Sequence, residues 1–120
     1  MSTILVVEDE ENIRLLYKEE LQDLGYKVIQ ASDGREAIEK FDLHRPDLII
    51  LDIRLPRLNG VETMNIIRGK SKDIPIILCS AYEEYKHDLQ TWASDAYIIK
   101  SADLEELLFT VNKILAVPPL

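Results

Sequence analysis

Apolar positions in this chain follow two distinct periods. Four short runs are nearly continuous: Ile4-Leu5-Val6-Val7, Leu48-Ile49-Ile50-Leu51, Ile74-Pro75-Ile76-Ile77-Leu78-Cys79 and Ala96-Tyr97-Ile98-Ile99. Strands covered on both faces have this pattern. A fifth run, Tyr26-Lys27-Val28-Ile29-Gln30-Ala31, is more polar and predicts a strand nearer an edge. Pro75 is tolerable only near a strand start. The intervening segments have helical spacing. Ile13, Leu16, Tyr17, Leu21 and Leu24 form one predicted face, and Gly25 sits where that helix should stop. Asp33 with Glu36 resembles a capping box, opening a helix with Ala37, Ile38 and Phe41 inward, closed by Arg45-Pro46.

Asn59-Gly60 precedes a third helix carrying Val61, Met64 and Ile67. A fourth, from about Glu83 to Trp92, is unusually polar, with Tyr85, Leu89 and Trp92 as its main apolar anchors. It is expected to be the least firmly packed. The last helix opens with Asp103 and Glu106 as another capping box. It carries Leu104, Leu107, Leu108, Val111, Ile114 and Leu115 as an apolar stripe. The order is βα repeated five times, which implies parallel pairing by right-handed crossovers and a doubly wound α/β sheet.

Each of the four apolar runs stops at a polar residue. The first ends in Glu8-Asp9, the next in Asp52, then Ser80, then Lys100. In parallel strands these gather at the carboxyl edge of one sheet, where open α/β sheets bind ligands. Singly, each residue has an ordinary explanation. Acids such as Glu8-Asp9 open helices, an aspartate after a strand forms turns, and an isolated lysine is a solvated charge. Their joint placement at four strand ends points to a site. Crowded carboxylates must take up protons or share a cation, and a site with few carboxylates suits Mg2+. An ionised aspartate beside such an ion can attack a phosphoryl group, with Ser80 and Lys100 as donors to its oxygens.

Composition narrows the partners. The chain has 120 residues and a formal net charge of −8, which fits one domain and argues against nucleic acid or anionic membrane as a direct partner. Cys79 is the only cysteine, so no intrachain disulfide or thiolate metal cage is available, and its apolar setting predicts a buried core thiol. The start, Met1-Ser2-Thr3-Ile4, lacks a basic region, and the apolar stretch there is too short for a signal peptide core or a membrane span. A cytoplasmic protein is expected. His44 and His87 are read as a helix-end cation and a solvated side chain rather than phosphotransfer groups.

Val6-Val7-Glu8-Asp9-Glu10, Asp52-Ile53-Arg54-Leu55-Pro56-Arg57-Leu58-Asn59-Gly60, Ser80-Ala81 and Asp95-Ala96-Tyr97-Ile98-Ile99-Lys100 resemble the receiver domain of bacterial two-component response regulators. The resemblance covers nearly the whole chain and implies a single CheY-like receiver domain over residues 1–120. It implies a flavodoxin-like (βα)5 fold with strand order 2-1-3-4-5. By the same resemblance Asp52 is the phosphate acceptor and Glu8 and Asp9 form the acidic metal pocket. Asp9, Asp52 and the backbone carbonyl of Arg54 would contact Mg2+, Lys100 and Ser80 would bind the phosphoryl oxygens, and Tyr97 would be the switch aromatic. Implied partners are a sensor histidine kinase or histidine phosphotransfer protein and a downstream effector domain or target. Phosphorylation would act on the face of the fourth helix, fifth strand and last helix.

The chain departs from the family pattern in places. Ser101 stands where proline usually follows the lysine, Ser80 replaces the commoner threonine, and Glu8 replaces a common aspartate. Arg54 and Tyr82 lie two residues beyond Asp52 and Ser80, positions at which, by the resemblance, side chains flank the path of the hydrolytic water. These bulky groups are expected to lengthen the life of the phosphoryl bond. An Mg2+-dependent phosphohydrolase would need a second acid two residues after the nucleophile, where this chain has Arg54. A flavodoxin would need a glycine- or hydroxyl-rich phosphate loop after the first strand, where this chain has acids. A degenerate receiver would have lost key residue types that are all retained. The expectation is a phosphoacceptor switch, not an enzyme. A stand-alone regulator, a phosphorelay intermediate and a receiver from a longer protein all fit, and Pro118-Pro119 would permit a linker.

Overall fold

The computed structural model describes residues 1–81, 94–100 and 103–116. Five strands form one sheet: β1 (Thr3–Val7), β2 (Lys27–Ala31), β3 (Leu48–Asp52), β4 (Ile76–Ser80) and β5 (Ala96–Ile99). All neighbours are parallel, and the order is β2-β1-β3-β4-β5. Among the described residues the helices are α1 (Glu11–Asp23), α2 (Gly34–His44), α3 (Gly60–Lys70) and α4 (Glu105–Leu115). The expected helix around Glu83 to Trp92 lies outside the described residues, as do Tyr82, His87 and Ser101.

Three of the four continuous apolar runs, in β1, β3 and β4, are strands buried on both faces. In contrast, β5, expected to be covered likewise, lies at the second edge of the sheet and is fully buried only at Ile98. β3 and β4 are buried at every residue. Side chains alternate across the sheet, so each strand feeds two cores. Leu5, Val7, Ile49, Leu51, Ile76 and Leu78 pack with Ala37 and Phe41 of α2 and with Met64 and Ile67 of α3. Ile4, Val6, Leu48, Ile50, Ile77 and Cys79 pack with Tyr17 and Leu21 of α1 and with Leu107 and Val111 of α4. The more polar β2 is an edge strand, as its sequence predicts. Pro75 falls just before β4, where it needs no N–H, and its carbonyl still accepts from Ile49 N at 3.0 Å.

Helix ends follow local chemistry, with some differences from expectation. Gly25 has φ +95°, the left-handed conformation that stops α1. Asp33 caps α2 by accepting from Glu36 N, but the Glu36 carboxylate accepts from Ser32 N rather than closing a box. The full capping box is at Asn59 and Glu62, opening α3. The box expected from Asp103 and Glu106 does not form. Asp103 Oδ1 instead accepts from Glu105 N at 2.9 Å, and α4 begins at Glu105. Leu16 and Leu24, expected inward, are exposed, because only Tyr17 and Leu21 of α1 point squarely at the sheet.

Candidate functional site

Strand order decides where a site can form. The chain leaves β1 for β2 on one side and returns to β3 on the other, so the crossovers diverge between β1 and β3. A crevice opens at the carboxyl ends of strands at such a switch point. Register then aligns the residues: Val7 pairs with Leu51, Asp52 with Cys79 and Ser80 with Ile99. The ladder runs one residue past the strands. Glu8 N donates to Ala31 O at 3.1 Å, Ile53 N to Cys79 O at 3.1 Å, and Lys100 N to Ser80 O at 2.7 Å. Each polar residue at a strand end is therefore anchored through the sheet backbone.

The side chains meet in an open depression of about 380 Å3, lined by Glu8, Asp9, Glu10, Asp52, Arg54, Ser80, Ala81 and Lys100. Carboxylate oxygens of Glu8, Asp9 and Asp52 lie within 4.8 Å of one another. Lys100 Nζ bridges two of these groups, donating to Asp52 Oδ2 at 2.8 Å and to Glu8 Oε1. The remaining oxygens are also held: Asp52 Oδ1 accepts from Arg54 N at 3.2 Å, and Glu8 Oε2 from Glu10 N at 3.1 Å. The side chains of Glu8 and Asp52 are only 2% and 7% exposed, against 18% for Lys100. Asp9 is the exposed member of the cluster.

Electrostatics follow from this packing. Burial works against the Lys100 ammonium, but its hydrogen bonds to Asp52 and Glu8 outweigh that and hold its pKa above the usual lysine value. Although Asp9 is exposed, partial desolvation by its neighbours raises its pKa, reinforced by a hydrogen bond with Glu8 and by that residue's charge. Three carboxylates against one ammonium leave two net negative charges in the cluster. A divalent cation with a preference for oxygen ligands matches both the charge and the donor set, so the residues present fit Mg2+.

The structure thus brings together Glu8, Asp9, Asp52, Arg54, Ser80 and Lys100. Ser80 is buried at the end of β4. Tyr97, two strands from Asp52, is half-buried against the α2–α3 core. Tyr82 lies outside the described residues. Sequence reasoning passed over Arg14, whose Nη1 donates to the Glu8 carbonyl at 2.7 Å. A charged residue early in a helix carries no signal for such a contact. Gly60, singled out in the sequence as the end of the loop motif that begins at Asp52, has a steric role the motif does not reveal: a Cβ there would lie 2.1 Å from the Asp52 carbonyl oxygen. Only glycine lets α3 begin so close to the end of β3.

Fold and pocket define a flavodoxin-like α/β domain whose strand-end site is built from acids and a lysine rather than from a phosphate loop. The chain belongs to the response regulator receiver domain family, whose description "Response regulator receiver domain" applies to the matched residues 4–112. It is similar to the response regulator TrrA of Thermotoga maritima, solved in complex with Mg2+-BeF. That comparison gives 50% identity and a TM-score of 0.93, covering 96% of this chain and 100% of that one. TrrA in complex with the histidine kinase ThkA gives 49% identity and a TM-score of 0.90, covering 96% and 99%. The response regulator ArlR of Staphylococcus aureus is 37% identical over 121 residues, covering 99% of this chain and 55% of that protein. The chain spans about half or less of the length of the curated relatives it matches. Among the described residues no helix is long and apolar enough to cross a membrane.

Proposed function

We propose that residues 1–120 form a single receiver domain in which Asp52 accepts a phosphoryl group from a sensor histidine kinase or histidine phosphotransfer protein. The observation that carries this reading is the placement of Asp52. It is a buried carboxylate at the end of β3, 2.8 Å from the Lys100 ammonium and clustered with Glu8 and Asp9. A carboxylate oxygen of Asp52 attacks phosphorus, the phosphorus–nitrogen bond of the donor phosphohistidine breaks, and its electron pair returns to the imidazole. Asp9, Asp52 and the Arg54 backbone carbonyl would hold Mg2+ beside Glu8. When bound, that ion supplies positive charge that offsets the cluster and attracts phosphoryl oxygens.

Lys100 then changes partner. In the resting geometry it is spent on Asp52 Oδ2 and Glu8 Oε1. Once Asp52 is an acyl phosphate, its negative charge sits on the phosphoryl oxygens, and Lys100 and the Ser80 hydroxyl are the donors to receive it. Ser80 and Tyr97 carry the change outward, to the face of β5 and α4. The output is a downstream effector domain or target protein, reached without direct contact to nucleic acid or membrane by this domain, in the cytoplasm. The similarity to TrrA, solved with Mg2+-BeF and with a histidine kinase, supports the cofactor and the donor class.

Intact-mass measurement after incubation with acetyl phosphate and Mg2+ tests the reading. One added phosphoryl group is expected, absent with EDTA and absent in Asp52→Asn. No adduct with any donor, or the same adduct in Asp52→Asn, would overturn the assignment. Arg54 and Tyr82 are proposed to shield the acyl phosphate from water, so an Arg54→Ala, Tyr82→Ala double variant should lose phosphate faster than wild type; equal rates would remove that role.

A further inference from the structure

The turn that carries Glu8 and Asp9 lacks the usual means of being held. Its last residue, Glu10, is the N-cap of α1 and makes no side-chain cap hydrogen bond. A helix start without a capping side chain leaves backbone donors unsatisfied and the preceding turn loosely specified. Three contacts hold it instead. Glu8 N donates to Ala31 O of β2 at 3.1 Å, Glu10 N donates to Glu8 Oε2 at 3.1 Å, and Arg14 Nη1 donates to the Glu8 carbonyl at 2.7 Å.

The third contact is of a different kind. It comes from the first turns of α1, where Arg14 N also closes onto Glu10 O at 3.0 Å, so both ends of the Arg14 link are fixed to the turn. A guanidinium to carbonyl hydrogen bond is charge-assisted and short, and Arg14 is half-buried. We propose that Arg14 is a positioning residue for the divalent cation: by holding the Glu8 carbonyl it fixes the turn that presents Glu8 and Asp9 to the site. The inference rests on the metal-site reading above.

Geometry and charge predict opposite signs here. Arg14 is a cation next to a cation site, so by charge alone its removal should tighten Mg2+ binding. By positioning, removal should weaken it. Partners that orient ligands change metal affinity about 10- to 100-fold when lost, and the relieved repulsion offsets part of that. Arg14→Met and Arg14→Gln are therefore expected to raise the Mg2+ dissociation constant about 5-fold, whereas Arg14→Lys, which keeps a charged donor, should stay within about 2-fold of wild type.

The test is isothermal titration of the full chain with Mg2+ at fixed ionic strength. Urea unfolding in EDTA is measured alongside it, because a merely structural role would lower stability and leave the affinity of the folded protein unchanged. Binding by Arg14→Met or Arg14→Gln as tight as wild type or tighter overturns the inference, as does an Arg14→Lys variant as weak as Arg14→Met. Should Arg14→Met fail to fold, Arg14→Gln carries the same prediction. Wild type and Asp52→Asn serve as the reference pair. If wild type binds no Mg2+, or Asp52→Asn binds it equally well, the metal-site reading fails and takes the inference with it; if only the Arg14 variants match wild type, the inference alone fails.

Discussion

Replacing Lys100 with methionine removes the one ammonium that lines the pocket among the described residues, while keeping most of the side-chain volume. Among the described residues, Glu8 and Asp52, with side chains 2% and 7% exposed, then keep backbone donors from Glu10 and Arg54. Removing one partner of a buried ion pair typically costs about 3–5 kcal/mol. Lys100 retains 18% exposure, so water reaches the site and the lower end applies: a loss of about 3 kcal/mol at neutral pH. In wild type the folded lysine pKa is raised, so this contribution is fully present below the ordinary value of 10.5 and is lost only as pH rises through the folded value. The lysine's own titration therefore adds no pH dependence across neutral and mildly acid pH. In Lys100→Met the defect is uncompensated negative charge, which both acidification and Mg2+ relieve. Urea unfolding followed by circular dichroism in EDTA should show the full loss at pH 7.5 and a smaller one at pH 5. Saturating Mg2+ should restore more stability to the variant than it adds to wild type. A loss under about 0.5 kcal/mol, or one that neither pH nor Mg2+ changes, would refute the reasoning, since a buried pair is worth several times that.

The glycines give paired predictions. A Cβ at Gly60 would meet the Asp52 carbonyl oxygen at 2.1 Å and Ile53 Cα at 2.7 Å, both backbone, so Gly60→Ala should cost about 3 kcal/mol in urea unfolding and displace the end of β3. A Cβ at Gly69, within α3, meets nothing within 4 Å, so Gly69→Ala should stabilise by about 0.5–1 kcal/mol. Burial pushes the Cys79 thiol up to about 12 from 9.0. Native protein at pH 8 should resist iodoacetamide and react fully in urea. Because that folded pKa is raised, the associated stability is present below pH 9.0 and is lost as pH climbs toward about 12, which alkaline unfolding of Cys79→Ala against wild type measures.

Most of the site was legible in the sequence because buried parallel strands leave a simple mark. Their apolar runs are nearly unbroken, so the first polar residue locates the carboxyl end of each strand, and Glu8, Asp52, Ser80 and Lys100 all fall there. Strand type was equally clear at β2, whose polar alternation matches an edge position. Helix faces were less clear. The apolar stripe of α1 is wider than the sheet can cover, so Leu16 and Leu24 stay outside while Tyr17 and Leu21 are buried. Caps were mixed, since a side-chain oxygen can reach several backbone N–H groups: Asp103 satisfies Glu105 N, and Glu36 turns to Ser32 N. Contacts made by long side chains to a backbone carbonyl, such as Arg14 to Glu8, have no periodic signature at all. The same holds for the close approach of Gly60 to Asp52, which depends on how α3 docks on the end of β3.

The central claim is that Asp52, among three clustered carboxylates, is the one that reacts. An acyl phosphate is reduced by borohydride to the alcohol with loss of phosphate, so the modified aspartate becomes homoserine and can be located by peptide fragmentation. After acetyl phosphate and Mg2+, the account predicts homoserine at position 52 and none in the Mg2+-free control. Homoserine at position 9, the reduced alcohol of glutamate at position 8, or no reduced residue despite an added phosphoryl mass would contradict it.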